Sequence, residues 1–180
     1  MKGGYNMLYE YDGMYPEIDD SAFIAPNAVI TGDVKIAKDA SIWYGTVIRG
    51  DVSPVIIGEH SNVQDLCCLH QSPDAPLIIE DNVTVGHRVT LHSSIIRTGA
   101  LVGMDSTVLD GAEIGEGAFL GAGSLLTQGK KIPPGMLAMG RPAKVVRALT
   151  EEDKQDMARI QQEYADKAKV YKAMHETHKQ

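Results

Sequence analysis

Aromatic residues are scarce in this 180-residue chain: they make up 6% of it, while hydrophobic residues as a whole make up 43%. Any core must therefore be assembled from small aliphatic side chains. Cysteine is nearly absent, and the two that occur, Cys67 and Cys68, are adjacent, which is no disulfide framework. No apolar run approaches the roughly 20 residues of a membrane span. Positive charge is in deficit: 17 Lys and Arg stand against 24 Asp and Glu, a net charge of -7. That balance argues against nucleic acid or an anionic membrane as partner. The opening MKGGYNMLYEYDG lacks the apolar stretch of a secretory signal, and together these absences point to a cytoplasmic protein.

What the chain does have is a repeat. Ile24, Ile30, Ile36, Ile42 and Ile48 succeed one another at a spacing of six. After a step of nine the pattern resumes at Ile57, Val63 and Leu69, and after a step of ten at Ile79, Val85 and Leu91. After a step of five it runs through Ile96, Val102, Val108, Ile114, Leu120 and Leu126. Two residues before most of these positions the side chain is small or β-branched, as at Ala28, Thr46, Ser61, Cys67, Ala100 and Ser124. Glycine often follows the aliphatic, as at Gly58, Gly86, Gly103, Gly115 and Gly121. Those glycines are expected to serve corners that need unusual backbone angles. A period of six fits neither a helix nor an alternating strand. It fits short strands joined by corners, three to a coil, stacked as a parallel β-helix. The pattern resembles the hexapeptide-repeat, left-handed β-helix superfamily. Cys67 falls in the small inward slot and reads as a packed core thiol, whereas Cys68 has no such slot.

The expected organisation is one domain over 1–180, with the β-helix over about 20–127. A Gly/Pro-rich extended return segment follows over 128–149, and a helix runs over 151–175. Thr150 followed by Glu151, Glu152 and Asp153 reads as an N-cap with acidic first-turn residues. Met157, Ile160, Tyr164, Ala168, Tyr171 and Met174 form one stripe of that helix, which should dock along the coil.

Stacking the coils brings distant residues together. Every third hexad lies on one face, one coil further on. With Ile48 on face A, Leu69 and Leu91 also fall on face A. Arg49, His70 and His92 each follow one of these by one residue, so they form a single outward column with about 4.8 Å between coils. The extra residues bulge at Pro54 and at Pro73 and Pro76. His87 follows Val85 of face C by two, in the slot that Asp65 holds one coil earlier, and a corner separates it from His92. Outward histidines on a β-helix are commonly plain surface residues. A same-column pair with arginine, glutamine and aspartate nearby reads instead as an incomplete metal site. A three-fold trimer of parallel prisms would set face A of one subunit against the face-C edge of the next, so a third ligand could come from a second chain. Neutral nitrogen donors of this kind suit Zn²⁺, with Fe²⁺ or Co²⁺ as alternatives.

At this point the residues match a known family. Arg49-Gly50-Asp51, Asn62-Val63-Gln64-Asp65, His70, Gly86-His87 and His92 resemble the motifs of γ-class carbonic anhydrases and their bacterial relatives. The resemblance extends to the C-terminal helix and to Gly-Arg-Pro-Ala-Lys at 140–144, a segment that acyltransferases of the superfamily also carry. It implies a homotrimer hydrating CO₂ to bicarbonate, with His70 and His92 binding metal from one subunit and His87 from the next. Arg49 and Asp51 are then an ion pair across the subunit interface, and Gln64 and Asn62 are polar groups beside the attacking hydroxide and bicarbonate. Asp65 is a further active-site carboxylate, and Tyr164 projects toward the metal, although its stripe position alone makes it a packing residue. Two features depart from the family pattern: Val52 stands where an acidic residue is found, and the short loop QSPDAPL offers only Asp74 in place of an acidic proton-shuttle loop. His178 is no substitute for that loop. Two other readings stay open. One is a CoA-dependent acyltransferase, which needs a catalytic histidine free of metal partners and a cleft for the pantetheine arm. The other is a metal-binding assembly protein with little hydratase activity.

Overall fold

The computed structural model describes residues 7–177; His178 lies outside them. The chain winds as a left-handed parallel β-helix of about seven turns, closed by one C-terminal helix. Each turn contributes one inward aliphatic to each of three faces, large at all but one position. On face A, Leu8, Ile30, Ile48, Leu69, Leu91, Val108 and Leu126 pair in parallel register from coil to coil. On face B the column is Ile18, Ile36, Ile57, Ile79, Ile96, Ile114 and Ile132. On face C it is Ile24, Ile42, Val63, Val85, Val102, Leu120 and Ala138. Most of these side chains are wholly buried, and each such burial stabilises the fold by roughly 1.5–3 kcal/mol relative to exposure.

The coil is longer at both ends than the repeat implies. It begins with the strand Met7–Tyr9, because the insertion between Leu8 and Ile18 breaks the spacing without breaking the stack. It also continues past Leu126, where Ile132 and Ala138 keep the step of six and are buried. The extended return segment expected over 128–149 is therefore part coil and part hairpin. Its glycines and prolines sit at corners, and the strands Met136–Gly140 and Ala143–Ala148 pair antiparallel around the Arg141-Pro142 turn, whose peptide bond is cis.

The small inward column is filled by hydroxyls as well as methyls, and several of the hydroxyls donate to backbone carbonyls, although that of Ser94 is buried without a partner among the described residues. Thr46 donates to the Gln64 carbonyl (2.8 Å), Ser61 to that of Glu80 (2.6 Å) and Ser124 to that of Gly121 (2.6 Å). The glycines that follow the aliphatics play a different part from the one their sequence position suggests. None of them has positive φ; the left-handed residues lie later in each corner, at Leu66, Arg88, Asp105 and Gly123 for example. A side chain on Gly86 would instead meet the Met104 backbone nitrogen at 2.7 Å, and one on Gly103 the Ala122 nitrogen at 2.5 Å. Close approach of successive coils is what these sites require.

The helix, α1, spans Glu151–Thr177. Thr150 caps it: its hydroxyl accepts from the Asp153 N–H (3.1 Å) while Asp153 Oδ2 accepts from the Thr150 N–H (2.7 Å), a reciprocal capping box. The helix returns along face C, against the strands Phe23–Ile24, Ser41–Ile42 and Asn62–Val63. Met157 and Ala168 of the expected stripe are buried, Ile160, Tyr164 and Tyr171 are half-buried, and Met174 at the far end is exposed. Trp43 is the centre of this docking, with Tyr164 and Tyr171 edge-on to it at 5.2 Å each. Among the described residues no helix is long and apolar enough to cross a membrane.

Candidate metal centre

Face A presents the column read from the sequence. Cys68–His70 and Thr90–His92 pair in register, with His92 opposite His70, and the preceding pair sets Ile48 beside Leu69, which carries Arg49 to the head of the same column. His70 Nδ1 and His92 Nε2 face each other at 3.2 Å. Each ring is held at its other nitrogen by a carboxylate: His70 Nε2 lies 3.0 Å from Asp51 Oδ1, and His92 Nδ1 lies 2.6 Å from Asp110 Oδ1. An ionised carboxylate can only accept, so those nitrogens carry the protons. The two nitrogens left over, facing one another, carry lone pairs.

His87 shows the same arrangement at a different place. It lies in the corner column between faces C and A, directly after Asp65 one coil earlier, as the backbone bonds Arg88 N to Asp65 O and Asp105 N to His87 O record. Asp65 Oδ2 accepts from His87 Nδ1 at 2.9 Å, leaving Nε2 as the lone-pair nitrogen. That nitrogen faces the Tyr164 hydroxyl at 3.2 Å, delivered by α1. Tyr164 thus packs on Trp43 and also reaches His87. Burial, then the negative charges of Asp65 and Glu163, push its phenol above the ordinary 10.0, so at neutral pH it is a donor.

Gln64 and Asn62 are both almost fully buried, where face C meets the helix. Asn62 donates to Thr84 Oγ1 at 2.9 Å and its carbonyl accepts from Gln64 Nε2 at 3.1 Å, so the two amides are locked as a unit. Arg49 and Asp51, expected as a pair across an interface, are joined within the chain: Arg49 Nη1 donates to Asp51 Oδ2 at 2.6 Å. Two residues apart on an extended strand, they lie on one side of it, and Asp51 bridges Arg49 to His70.

Sequence reasoning did not find Asp110 or Ser72. Asp110 lies 18 residues after His92, one coil on, and its second oxygen accepts from the Ser72 hydroxyl at 2.6 Å. That hydrogen bond, with His92 adding to it, outweighs burial and holds the Asp110 carboxyl below its ordinary 3.8. Extending the histidine column by one further coil leads to Leu109, and Asp110 is the residue after it.

The donor set fits a zinc-class ion. Two neutral imidazole lone pairs aimed at each other repel unless a cation lies between them or one ring takes a second proton. Two nitrogens bound at about 2.0–2.1 Å to one tetrahedral ion stand roughly 3.3 Å apart, which is close to the spacing observed. Among the described residues, no three histidine, cysteine or acidic side chains are gathered as a metal-holding group. Face A supplies one pair, and His87 stands in a separate group.

Comparison with known proteins agrees with the coil. The chain matches the family described as bacterial transferase hexapeptide (six repeats) over residues 15–50, and the hexapeptide repeat of succinyl-transferase over 76–104 and 95–128. It is 61% identical to a carbonic anhydrase of Geobacillus kaustophilus over 93% of this chain and 92% of that protein. It is 39% identical to the mitochondrial gamma carbonic anhydrase 2 of Arabidopsis thaliana over 87% of this chain and 58% of that one. The chain belongs to the γ-class carbonic anhydrase family. A crystal structure of a Bacillus cereus protein, described provisionally as an acetyltransferase, superposes with a TM-score of 0.93 at 61% identity, covering 94% of this chain and 99% of that one. The γ-class relatives support an enzyme of the carbonic-anhydrase type. Transferase names also occur among close neighbours of the fold. A cleft of about 600 Å³ between α1 and the coil is lined by Leu101, Pro134 and Met157, but no histidine lines it.

Proposed function

We propose that this γ-class chain is a metal-dependent carbonic anhydrase that hydrates CO₂ reversibly at a site shared between subunits of a homotrimer. The observation that carries the reading is the convergence of the His70 Nδ1 and His92 Nε2 lone pairs at 3.2 Å, each ring backed by an aspartate. His70 and His92 of one subunit and His87 of the next would hold the ion, Zn²⁺ first and Fe²⁺ or Co²⁺ as alternatives. Bound there, a zinc-class ion supplies the Lewis acidity that brings the pKa of a water into the neutral range.

The chain's own residues do the rest. Asp51, Asp65 and Asp110 keep the ring protons away from the donor nitrogens, and such carboxylates also raise the basicity of a ligating imidazole. Gln64, its amide fixed by Asn62, orients the attacking oxygen by a hydrogen bond. Arg49, held by Asp51, offers a positive charge to bicarbonate. Water and CO₂ become bicarbonate plus one proton, and that proton has to leave for turnover to continue. The loop from Gln71 to Leu77 provides only Asp74 as an acid for its export, so turnover should respond to added buffer.

The test is metal analysis of anaerobically purified protein together with a CO₂-hydration assay and the mass in solution. The expected result is a trimer with one ion per chain and hydration activity that chelation abolishes. His87→Ala and His70→Ala should each remove the ion. A protein without metal or hydration activity, or a His87→Ala variant with its full metal content, would overturn the reading.

A further inference from the structure

Ser72, His92 and Asp110 come from three successive turns of the coil, and they form one hydrogen-bonded line. The Ser72 hydroxyl donates to Asp110 Oδ2 at 2.6 Å, and Asp110 Oδ1 accepts from His92 Nδ1 at 2.6 Å. The loop that carries Ser72 is anchored independently, because the Ser72 backbone N–H donates to Ser93 Oγ at 2.6 Å. The hydroxyl is therefore not needed to hold the loop, and its recorded partner is the Asp110 carboxylate of the line.

Resting on the metal reading above, we propose that Ser72, acting through Asp110, is the positioning residue that fixes His92 as the Nδ1–H tautomer and aims its Nε2 lone pair at the metal. A carboxylate free to rotate could present either oxygen, or turn away from the ring. With one oxygen occupied by the serine hydroxyl, the other is presented to His92 Nδ1 in one orientation. The same logic operates on His70, where Arg49 occupies the second oxygen of Asp51. It is absent at His87, because the second oxygen of Asp65 accepts no hydrogen bond among the described residues. The two ligands on face A are thus each aimed by an anchored carboxylate, and the ligand on the corner by an unanchored one. A strand pair that fixes only the backbone leaves an imidazole free to flip its ring, so this second layer is what makes the face-A pair a preformed half-site.

The experiment compares Ser72→Ala, Ser72→Thr and Asp110→Asn with the unaltered trimer in two measurements. The first is the ¹⁵N chemical shifts of the His92 ring in the metal-free protein, which report the tautomer directly. The second is Zn²⁺ affinity by competition with a chromophoric chelator. His92 should be predominantly Nδ1–H in the unaltered protein and in Ser72→Thr, which keeps the hydroxyl. In Ser72→Ala the tautomers should mix and Zn²⁺ affinity should fall about 10-fold, with Asp110→Asn falling further, toward 100-fold. The same His92 shifts in Ser72→Ala as in the unaltered protein would overturn the proposal, as would a Zn²⁺ affinity within twofold of it. If the unaltered protein binds no zinc, the metal reading fails, while the ring shifts still decide whether Ser72 sets the tautomer.

Discussion

The Tyr164 hydroxyl, brought by the C-terminal helix, sits 3.2 Å from the nitrogen of His87 that carries its lone pair. In the single chain that nitrogen is occupied by a phenol donor; in the proposed trimer it is a metal ligand. The two demands compete, so the phenol should be a placeholder. Tyr164→Phe keeps the edge-on contact with Trp43 and removes only the hydroxyl. The expected outcome is a loss of about 1 kcal/mol in chemical denaturation, with Zn²⁺ affinity of the trimer unchanged or raised. A fall of tenfold or more in affinity would show that the hydroxyl supports the ion.

The two cysteines should differ sharply in chemistry although they are neighbours. Cys67 fills the small inward slot, donates weakly to the Gly86 carbonyl at 3.1 Å, and burial pushes its thiol up to about 12. Cys68 points outward on face A and is exposed. A thiolate is the reactive form, so a disulfide reagent should titrate one thiol per chain in the native monomer and two in denaturant. Assembly over face A should then slow the reaction of Cys68. Two fast thiols in the native protein would contradict the packing of Cys67.

How much of this was legible in the chain depended on whether a contact obeys the six-residue arithmetic. The Ile, Leu and Val columns and the His70–His92 pair follow from counting, because an inward aliphatic is demanded once per strand and the loops show as prolines. Leu8 and Ile18 escaped because residues 10–16 bulge out between the strands that carry them. Ile132 and Ala138 escaped because glycines and prolines at corners look like the end of a fold. Asp110 escaped because the same count puts Leu109 in the slot after His92, and Asp110 lies one residue beyond it. The reach of Tyr164 to His87 depends on how a helix lies on face C, which periodicity along either element does not set.

Gly50, between Arg49 and Asp51, tests the stacking that places the site. A Cβ there would run into the backbone carbonyl of Asp33 on the preceding coil. Backbone cannot step aside as a flexible side chain does, so Gly50→Ala should destabilise by about 1–3 kcal/mol. It should also displace Asp51 from His70, so zinc affinity should fall in the fraction that folds. Thermal unfolding and metal content of the variant measure the two effects. A variant as stable as the unaltered protein would mean that the coils are spaced more loosely here than the structure shows.

The charged ladder on face B makes a prediction about acid. Arg97 bridges Glu80 and Glu113 at 2.7 and 2.8 Å, and Lys131 reaches Glu113 at 2.7 Å. The hydrogen bonds of Lys131 and then Arg97 hold the Glu113 carboxyl below its ordinary 4.5. At Glu80 burial acts upward, but the hydrogen bonds from Arg97 and Thr98 prevail and the carboxyl is again lowered. A carboxylate whose pKa is lower in the folded state stabilises the fold above its unfolded value and loses that contribution as pH falls through the folded value. The ladder's contribution should therefore be complete at neutral pH and fade as pH drops below about 4.5. Because Arg97 is more than a third exposed, solvent screening limits the effect, and Arg97→Gln should cost about 1 kcal/mol or less at pH 7. The sharper signature is in the slope: urea-unfolding free energies of Arg97→Gln should decline less steeply between about pH 5 and pH 3 than those of the unaltered protein, and the two curves should converge at the acid end. Parallel curves over that range would show that the ladder is a solvated surface feature with no hold on the coil.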